Sequence, residues 1–449
     1  MRRMITVIGG GLAGSEAAYQ LAVRGLPVRL VEMRPSPAAA AHRTGLLGEL
    51  VCSNSMKSTD PDTAAGMLKR ELEGLGSVVL ACARATSVPA GGALAVDRDA
   101  FAALLTRIVT GLPDVELVRE EATSLPDGHV IIATGPLTSP GMESALRDLV
   151  GGERLAFYDA AAPIVDATTV DPDICFAQSR YDKGGADYLN CPMDRDEYAA
   201  FIDALTSAAR VTSKEFESAD LFCACQPAEE VARRGADALR FGAMKPVGLT
   251  DPRTGQRPWA VVQLRPENRA HTAYNLVGFQ TNLTFPEQES VFRMIPGLGS
   301  AEFLRHGVMH RNTFVDAPRL LAPDLSMRDR PDVRIAGQLS GTEGYLEAAA
   351  GGLVAALSVL SHVDDAVRLP VETALGALLE YATGPDTAAY QPMHVNIGLL
   401  PPLDPPVRGR RERYAAHSER AANAIAGWVD SRQDLGIEAV RAGLSRVSA

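Results

Sequence analysis

Apolar positions recur along this chain in two rhythms, and their alternation predicts an α/β protein. Met4-Ile5-Thr6-Val7-Ile8 is a short apolar run of strand type that leads into Gly9-Gly10-Gly11-Leu12-Ala13-Gly14. Helical spacing follows, with Ala13, Ala17 and Leu21 on one face. A second apolar run, Val28 to Val31, stops at Glu32. Residues 62–75 and 97–112 read as amphipathic helices. In the second of these Phe101, Leu104, Leu105 and Ile108 share a face, and Asp97 is a fitting N-cap. Val130-Ile131-Ile132-Ala133-Thr134-Gly135 has the character of a buried parallel strand ending in a glycine turn, and Val333-Arg334-Ile335-Ala336-Gly337 repeats that pattern. Gly344 to Leu360, rich in Ala and Leu, predicts a long buried helix.

The glycines give the first run its chemistry. In G-x-G-x-x-G between a strand and a helix, two glycines permit a tight turn and a close approach to a pyrophosphate. The third lets the helix pack on the strand, and the helix N-terminus offers N–H groups and a positive dipole end. Glu32 lies about twenty residues on, where an acid can hydrogen-bond a ribose 2′-OH. The expected dinucleotide contacts are Gly9, Gly10, Gly11, Leu12, Ala13, Gly14 and Glu32, with the N-terminus of the later long helix facing the same ligand. Gly297-Leu298-Gly299 lacks both a preceding strand and a third glycine, so one resident dinucleotide is expected.

Length and composition set the outer limits. The 449 residues can hold two or three domains, and 46% hydrophobic with 22% charged residues describes an ordinary globular chain. No apolar run approaches the ~18 residues of a membrane span. Arg2 and Arg3 precede an apolar stretch that passes straight into the glycine loop, which reads as a first strand and not a signal peptide. The six cysteines, at 52, 82, 175, 191, 223 and 225, form no C-x-x-C pair and no metal-ligand spacing, so a reduced, cytoplasmic protein without a metal is expected. A net charge of −11 excludes a uniformly basic nucleic-acid binder but not a local basic face.

Four polar clusters are candidates for chemistry. In Leu50-Val51-Cys52-Ser53-Asn54-Ser55, Cys52 reads either as a small buried hydrophobe or as a partly ionised nucleophile near His42 and Lys57. In Phe222-Cys223-Ala224-Cys225-Gln226-Pro227 the C-x-C pair is poor geometry for a disulfide and too few ligands for zinc. Met309-His310-Arg311-Asn312-Thr313-Phe314 reads as a binding loop or a structural turn. Arg240 to Leu249, which contains Lys245, reads as an anion-holding loop or a solvated turn.

Taken together, these stretches resemble the folate- and FAD-dependent tRNA uracil-5-methyltransferases (the TrmFO family). The resemblance rests on Gly9–Gly14, His42-Arg43-Thr44-Gly45 through Ser55, Ala133-Thr134-Gly135-Pro136-Leu137-Thr138-Ser139 and Met244-Lys245-Pro246-Val247-Gly248-Leu249. It continues through Asn275-Leu276-Val277-Gly278-Phe279-Gln280-Thr281-Asn282, Met309–Phe314, Ala336-Gly337-Gln338 to Gly344-Tyr345, and Gly398-Leu399-Leu400-Pro401-Pro402-Leu403. The Gly337–Tyr345 segment is also similar to a larger flavoprotein that modifies the tRNA wobble uridine.

The resemblance implies bound FAD, with methylenetetrahydrofolate as carbon donor, NAD(P)H as the source of electrons and the T-arm of tRNA as acceptor, giving 5-methyluridine in the T-loop. A thiolate adds at carbon 6 of uracil to make carbon 5 nucleophilic, and a base later removes the carbon-5 proton. The two family cysteines map onto Cys52 and Cys225; either can be the nucleophile, and the preferred assignment is Cys225 as nucleophile with Cys52 as its acid/base partner. Cys223-Ala224 stands where the family usually has Glu-Gly. Tyr345 is implied as a stacker on the flavin, Gly337, Gln338 and Gly344 as cofactor contacts, and His310, Arg311, Asn312 and Lys245 as substrate contacts. The alternatives are a flavoprotein acting on another tRNA uridine and a generic FAD oxidoreductase; a redox C-x-x-C after the first βαβ would favour the latter, and it is absent.

The expected architecture is α/β: an FAD-binding Rossmann-like domain of the glutathione-reductase type with an inserted α+β substrate domain. Its segments are 1–155 (first part), 156–320 (insertion), 321–375 (return) and 376–449 (C-terminal helices).

Overall fold

The structure is a computed structural model, described for residues 4–35, 42–51, 53–151, 155–156, 159–182, 185–211, 226–266, 271, 273–310, 313–361, 366–385, 390 and 392–444. Short strands of nearly continuous Val, Ile and Leu need cover on both faces, which favours a parallel sheet between helices. Five such strands form one: Val333–Ile335, Val130–Ile132, Ile5–Ile8, Val28–Val31 and Val115–Val118, in that spatial order and all parallel. Asp97 caps the helix Arg98–Thr110 by accepting from Ala100 N at 3.1 Å, and Thr63 caps Ala64–Leu75 in the same way. The long helix Tyr345–Leu360 lies against Leu12–Ala22. A Cβ on Gly352 would stand 2.0 Å from Ala13 O, so the crossing is close enough to require glycine.

A six-stranded antiparallel sheet occupies the middle of the chain. Its order is Phe176–Ala177, Leu189–Met193, Ala260–Pro266, Ala273–Leu276, Ile164–Asp166 and Phe303–Arg305. Every residue of Ala260–Pro266 is buried, so both faces of this strand are covered. Val262 and Leu264 point into a core with Cys191, Phe201, Phe279 and Phe292. On the alternate positions stand Gln263, which accepts from Arg180 Nε at 2.8 Å beside the same sheet, and Arg265, which reaches Ser53 and Asn54 of the first part of the chain.

Farther on, Ala374–Thr383 and Arg410–Ser431 pack against Ala64–Leu75. Glu71, buried on Ala64–Leu75, accepts from Ala374 N at 2.7 Å and Leu375 N at 2.9 Å, at the N-terminus of the helix Ala374–Thr383. Burial pushes its pKa up to about 7, against the pull of those two amides. Among the described residues no helix is long and apolar enough to cross a membrane.

Candidate functional site

The three signature glycines meet three different demands. Gly9 has φ +103°, and its amide donates to Val31 O at 2.8 Å; a Cβ there would lie 2.5 Å from Ala133 O. A Cβ on Gly14 would stand 1.8 Å from Gly9 O, so the helix rests directly on the turn. Gly11 has nothing within 4 Å of where its Cβ would be. That open space lies over the N-terminus of Leu12–Ala22, which has no side-chain cap and no acid in its first turn. The first amides, those of Leu12 and Ala13, have no intrahelical acceptor, and the positive end of the helix is uncompensated.

Glu32 is buried at the end of the second strand and accepts from Gly10 N at 2.7 Å, from Arg34 Nε at 2.9 Å and from Arg34 N at 2.8 Å. Burial alone would raise its pKa; the hydrogen bonds and charge of Arg34 outweigh that and hold the carboxyl below its ordinary value. Gly9, Gly11, Glu32, Arg34, Thr134 and Ser139 help to line one open cleft. A glycine cradle, an open helix N-terminus and an ionised acid fit the diphosphate and ribose of a dinucleotide.

The return segment closes on the same place. Gly337 has φ +73°, and a Cβ on it would meet Ala13 Cβ at 2.8 Å. Gln338 Nε2 donates to Glu343 Oε1 at 3.0 Å, within the loop and not toward the cleft. Gly344, at φ +119°, opens the long helix. In its first turn the buried Glu347 accepts from Lys57 Nζ at 2.7 Å. His394 faces this pair; burial, and then the charge of Lys57, lowers its pKa against the opposing pull of Glu347, which favours the neutral imidazole.

Between the two sheets runs the segment that carries Cys52. Cys52 itself lies outside the described residues, but both neighbours are fixed. Ser53 N donates to the Tyr345 hydroxyl at 2.9 Å, and Arg265 NH2 donates to Ser53 Oγ at 2.6 Å. Arg265 Nε donates to Asn54 Oδ1 at 2.8 Å, while Asn54 Nδ2 donates to Val96 O at 3.1 Å and Pro266 O at 2.9 Å. On the preceding side Arg98 NH1 donates to Leu50 O at 2.8 Å. Tyr345, from the helix Tyr345–Leu360, and Arg265, from the antiparallel strand Ala260–Pro266, thus hold the segment from two sides.

Cys223, Cys225, Arg311 and Asn312 also lie outside the described residues. The backbone of His310 is described, in the strand Val308–His310 opposite Asp159. The chain enters and leaves 212–225 on one short stretch: Val211 N donates to Asn282 O at 2.9 Å and Ala228 N to Gln280 O at 2.8 Å. Glu229, buried, accepts from Thr281 Oγ1 at 2.9 Å and Asn282 N at 2.7 Å, and burial raises its pKa. Lys245 is exposed in a turn whose carbonyls, those of Lys245 and Val247, accept from Arg180. The exposed rings of Phe241 and Tyr181 adjoin the same turn.

Sequence reasoning missed Arg265, Glu347 and His394. Arg265 did leave a signal, since Gln263 and Arg265 stand two apart in the otherwise apolar Ala260–Pro266. Among the described residues no group of three or more His, Cys, Asp or Glu side chains could hold a metal ion.

Known proteins match this chain along most of its length. The sequence profile of the family described as "Glucose inhibited division protein A" matches residues 4–366. The methylenetetrahydrofolate--tRNA-(uracil-5-)-methyltransferase TrmFO of Symbiobacterium thermophilum is 54% identical over 431 residues, covering 94% of this chain and 96% of that protein. Its counterpart in Heliobacterium modesticaldum is 53% identical over 424 residues, covering 94% and 97%. Among solved structures, Aquifex aeolicus GidA aligns over 98% of this chain and 75% of its own with a TM-score of 0.70 at 16% identity, a likeness of fold. The fold is the FAD-binding Rossmann-type α/β fold.

Proposed function

Starting from a chain that belongs to the TrmFO family, we propose that it is a methylenetetrahydrofolate–tRNA-(uracil-5-)-methyltransferase that places the methyl group of 5-methyluridine in the T-loop. The observation that carries this reading is the clamped segment around Cys52. Tyr345, at the start of the long helix, grips it from the dinucleotide side, and Arg265 grips it from the inserted sheet. A group on this segment is presented between the cofactor domain and the face that a second substrate can reach.

The residues would divide the work as follows. Leu12 and Ala13 amides hold the FAD diphosphate, and Glu32 takes the adenosine ribose. Bound in its reduced form, FAD supplies the electrons that take the transferred carbon to the methyl level, with NAD(P)H restoring that form. Cys225 adds as thiolate to carbon 6 of the target uracil, which moves electron density to carbon 5. Cys52 takes part as the acid/base partner at carbon 5. Tyr345 stacks beside the flavin. Lys245, with His310, Arg311 and Asn312, contacts tRNA or folate, and the exposed rings of Phe241 and Tyr181 suit stacking on unpaired bases.

The test is direct. Purified protein is incubated with unmodified tRNA, methylenetetrahydrofolate and NAD(P)H, and nucleosides are analysed for 5-methyluridine. Cys225→Ala is expected to keep bound flavin and lose the product; methylation retained in that variant overturns its role. No product from the wild-type chain overturns the activity.

A further inference from the structure

Two free thiols meet inside the inserted sheet. The strands Phe176–Ala177 and Leu189–Met193 pair antiparallel, with Phe176 opposite Asn190. One further step in that register sets Cys175 opposite Cys191, and cross-strand neighbours on one face bring their side chains together. The two Sγ atoms lie 3.3 Å apart, and both residues are buried. Room for Cys175 comes from Gly297, at φ +89°, where a Cβ would collide with its Sγ. The glycine of Gly297-Leu298-Gly299 thus makes space for a sulfur pair and not for a dinucleotide.

The pair is asymmetric. Cys191 is fully buried, and its hydrogen bond with Cys175, followed by burial, pushes its thiol pKa up. Cys175 is 7% exposed and stands just before Phe176–Ala177, the edge strand of the sheet. The Arg253 guanidinium, paired with Asp251 at 2.8 Å, lies close enough for its charge to interact with Cys175. A sulfur beside a cation at a sheet edge is the one an oxidant meets first, and a neighbouring buried thiol is its resolving partner. A disulfide needs its sulfurs about 2 Å apart, so closure is a movement of only about 1 Å.

We propose that Cys175 and Cys191 form a redox modification site, a dithiol that hydrogen peroxide converts reversibly into a cross-strand disulfide. The Cys175 thiolate attacks one peroxide oxygen and the O–O bond breaks, which leaves a sulfenic acid on Cys175. The released hydroxide takes up the proton that the Cys175 thiol had lost. The Cys191 sulfur then attacks the sulfenic sulfur, the S–S bond forms, and the hydroxyl departs as water with the Cys191 proton. Two thiols lose two electrons and two protons in all, and one peroxide becomes two waters. The bridge closes the stretch 176–190, which holds Arg180 and Tyr181. Arg180 donates to the carbonyls of Lys245 and Val247, and Tyr181 N donates to Gly248 O at 2.9 Å, so the bridge fastens the support of the Lys245 turn. The proposal does not depend on the methyltransferase reading.

The test uses the full-length, flavin-loaded protein. It is exposed to hydrogen peroxide, blocked with N-ethylmaleimide under denaturing conditions and digested with trypsin without reductant. Trypsin cuts after Arg180 and Lys183, so Cys175 and Cys191 fall on separate peptides with no other cysteine unless they are bridged. Mass spectrometry is expected to find those two peptides joined, two hydrogens lighter than their sum, and parted again by dithiothreitol. Cys191→Ser should leave a sulfenic acid on Cys175 that dimedone traps. Amide hydrogen exchange across Phe176 to Asp182 should be slower in oxidised wild type than in Cys175→Ser treated in the same way. Maleimide on both cysteines of the peroxide-treated wild type overturns the proposal, as does a bridge from either one to a different cysteine. That reading comes from the wild-type chain alone, so it stands even where a serine variant fails to fold.

Discussion

Arg265 donates from Nε to Asn54 Oδ1 at 2.8 Å across 211 positions of sequence, and both side chains are buried. The same guanidinium reaches Ser53 Oγ, so one planar fork fixes two consecutive residues beside Cys52. Lysine, whose donors all sit on one nitrogen, cannot reach both acceptors with the geometry of the fork.

The first prediction follows from that fork. Arg265→Lys is expected to leave flavin binding intact and lower kcat by roughly 10- to 100-fold, the scale of a small misplacement near the chemistry. Steady-state kinetics beside the flavin absorbance of the purified variant would check it. Unchanged kcat would show that the segment is positioned without Arg265.

Gly11 and Gly14 are expected to fail in different ways. A Cβ at Gly11 enters open space at φ −73°, so Gly11→Ala is expected to fold normally, whereas Gly11→Asp is expected to fold but to put a carboxylate at the helix N-terminus proposed to hold the diphosphate. Its FAD Kd should rise tenfold or more with the apoprotein melting temperature unmoved. Gly14→Ala forces a Cβ onto Gly9 O and should destabilise the fold itself, by about 1–3 kcal/mol or more. Equal loss of cofactor and stability in both variants would refute the distinction.

A pH effect follows from Glu71. Its folded pKa of about 7 lies above the ordinary 4.5, so between those values the folded chain holds a proton that the unfolded chain has released. Stability contributed by this group is therefore fully present below pH 4.5 and lost as pH rises through 7. Glu71→Gln should flatten that part of the melting-temperature profile between pH 4.5 and 7.5. A profile identical to wild type would place the effect elsewhere.

Lys245 offers a test at the surface. If the exposed turn contacts the tRNA backbone, Lys245→Glu should raise the KM for tRNA several-fold and leave the KM for folate unchanged. The slope of log affinity against log salt should become shallower by about one. Equal tRNA affinity across a salt series would remove Lys245 from the interface.

What could be read from the chain was local. The apolar runs at Ile5–Ile8, Val28–Val31, Val130–Ile132 and Val333–Ile335 identified themselves, because parallel strands covered on both faces carry few polar residues. Asp97 announced its helix because a cap acts over three residues. The edge strand Val115–Val118 escaped, since it is half-exposed and carries Glu116 at its centre. The helix Pro140–Val150 escaped as well, its start marked only by Ser139 and a proline. At the site, Gly9–Gly14 was legible because turn, approach and packing fall within six residues. Arg265 was not, because its meaning depends on Ser53 and Asn54 from the distant first part of the chain, a relation that no spacing rule encodes.

The order of strands in the parallel sheet bears on how the protein is made. Its edge strand Val333–Ile335 pairs with Val130–Ile132, while all six strands of the inserted sheet lie between Ile164 and Arg305. A ribosome delivers the inserted sheet whole before the parallel sheet can close. Gly337 and the helix that seats Gly352 on Ala13 emerge later still. A chain truncated before Val333 should therefore leave Val130–Ile132 without its edge neighbour and Ala13 without Gly352, and is expected to capture flavin poorly.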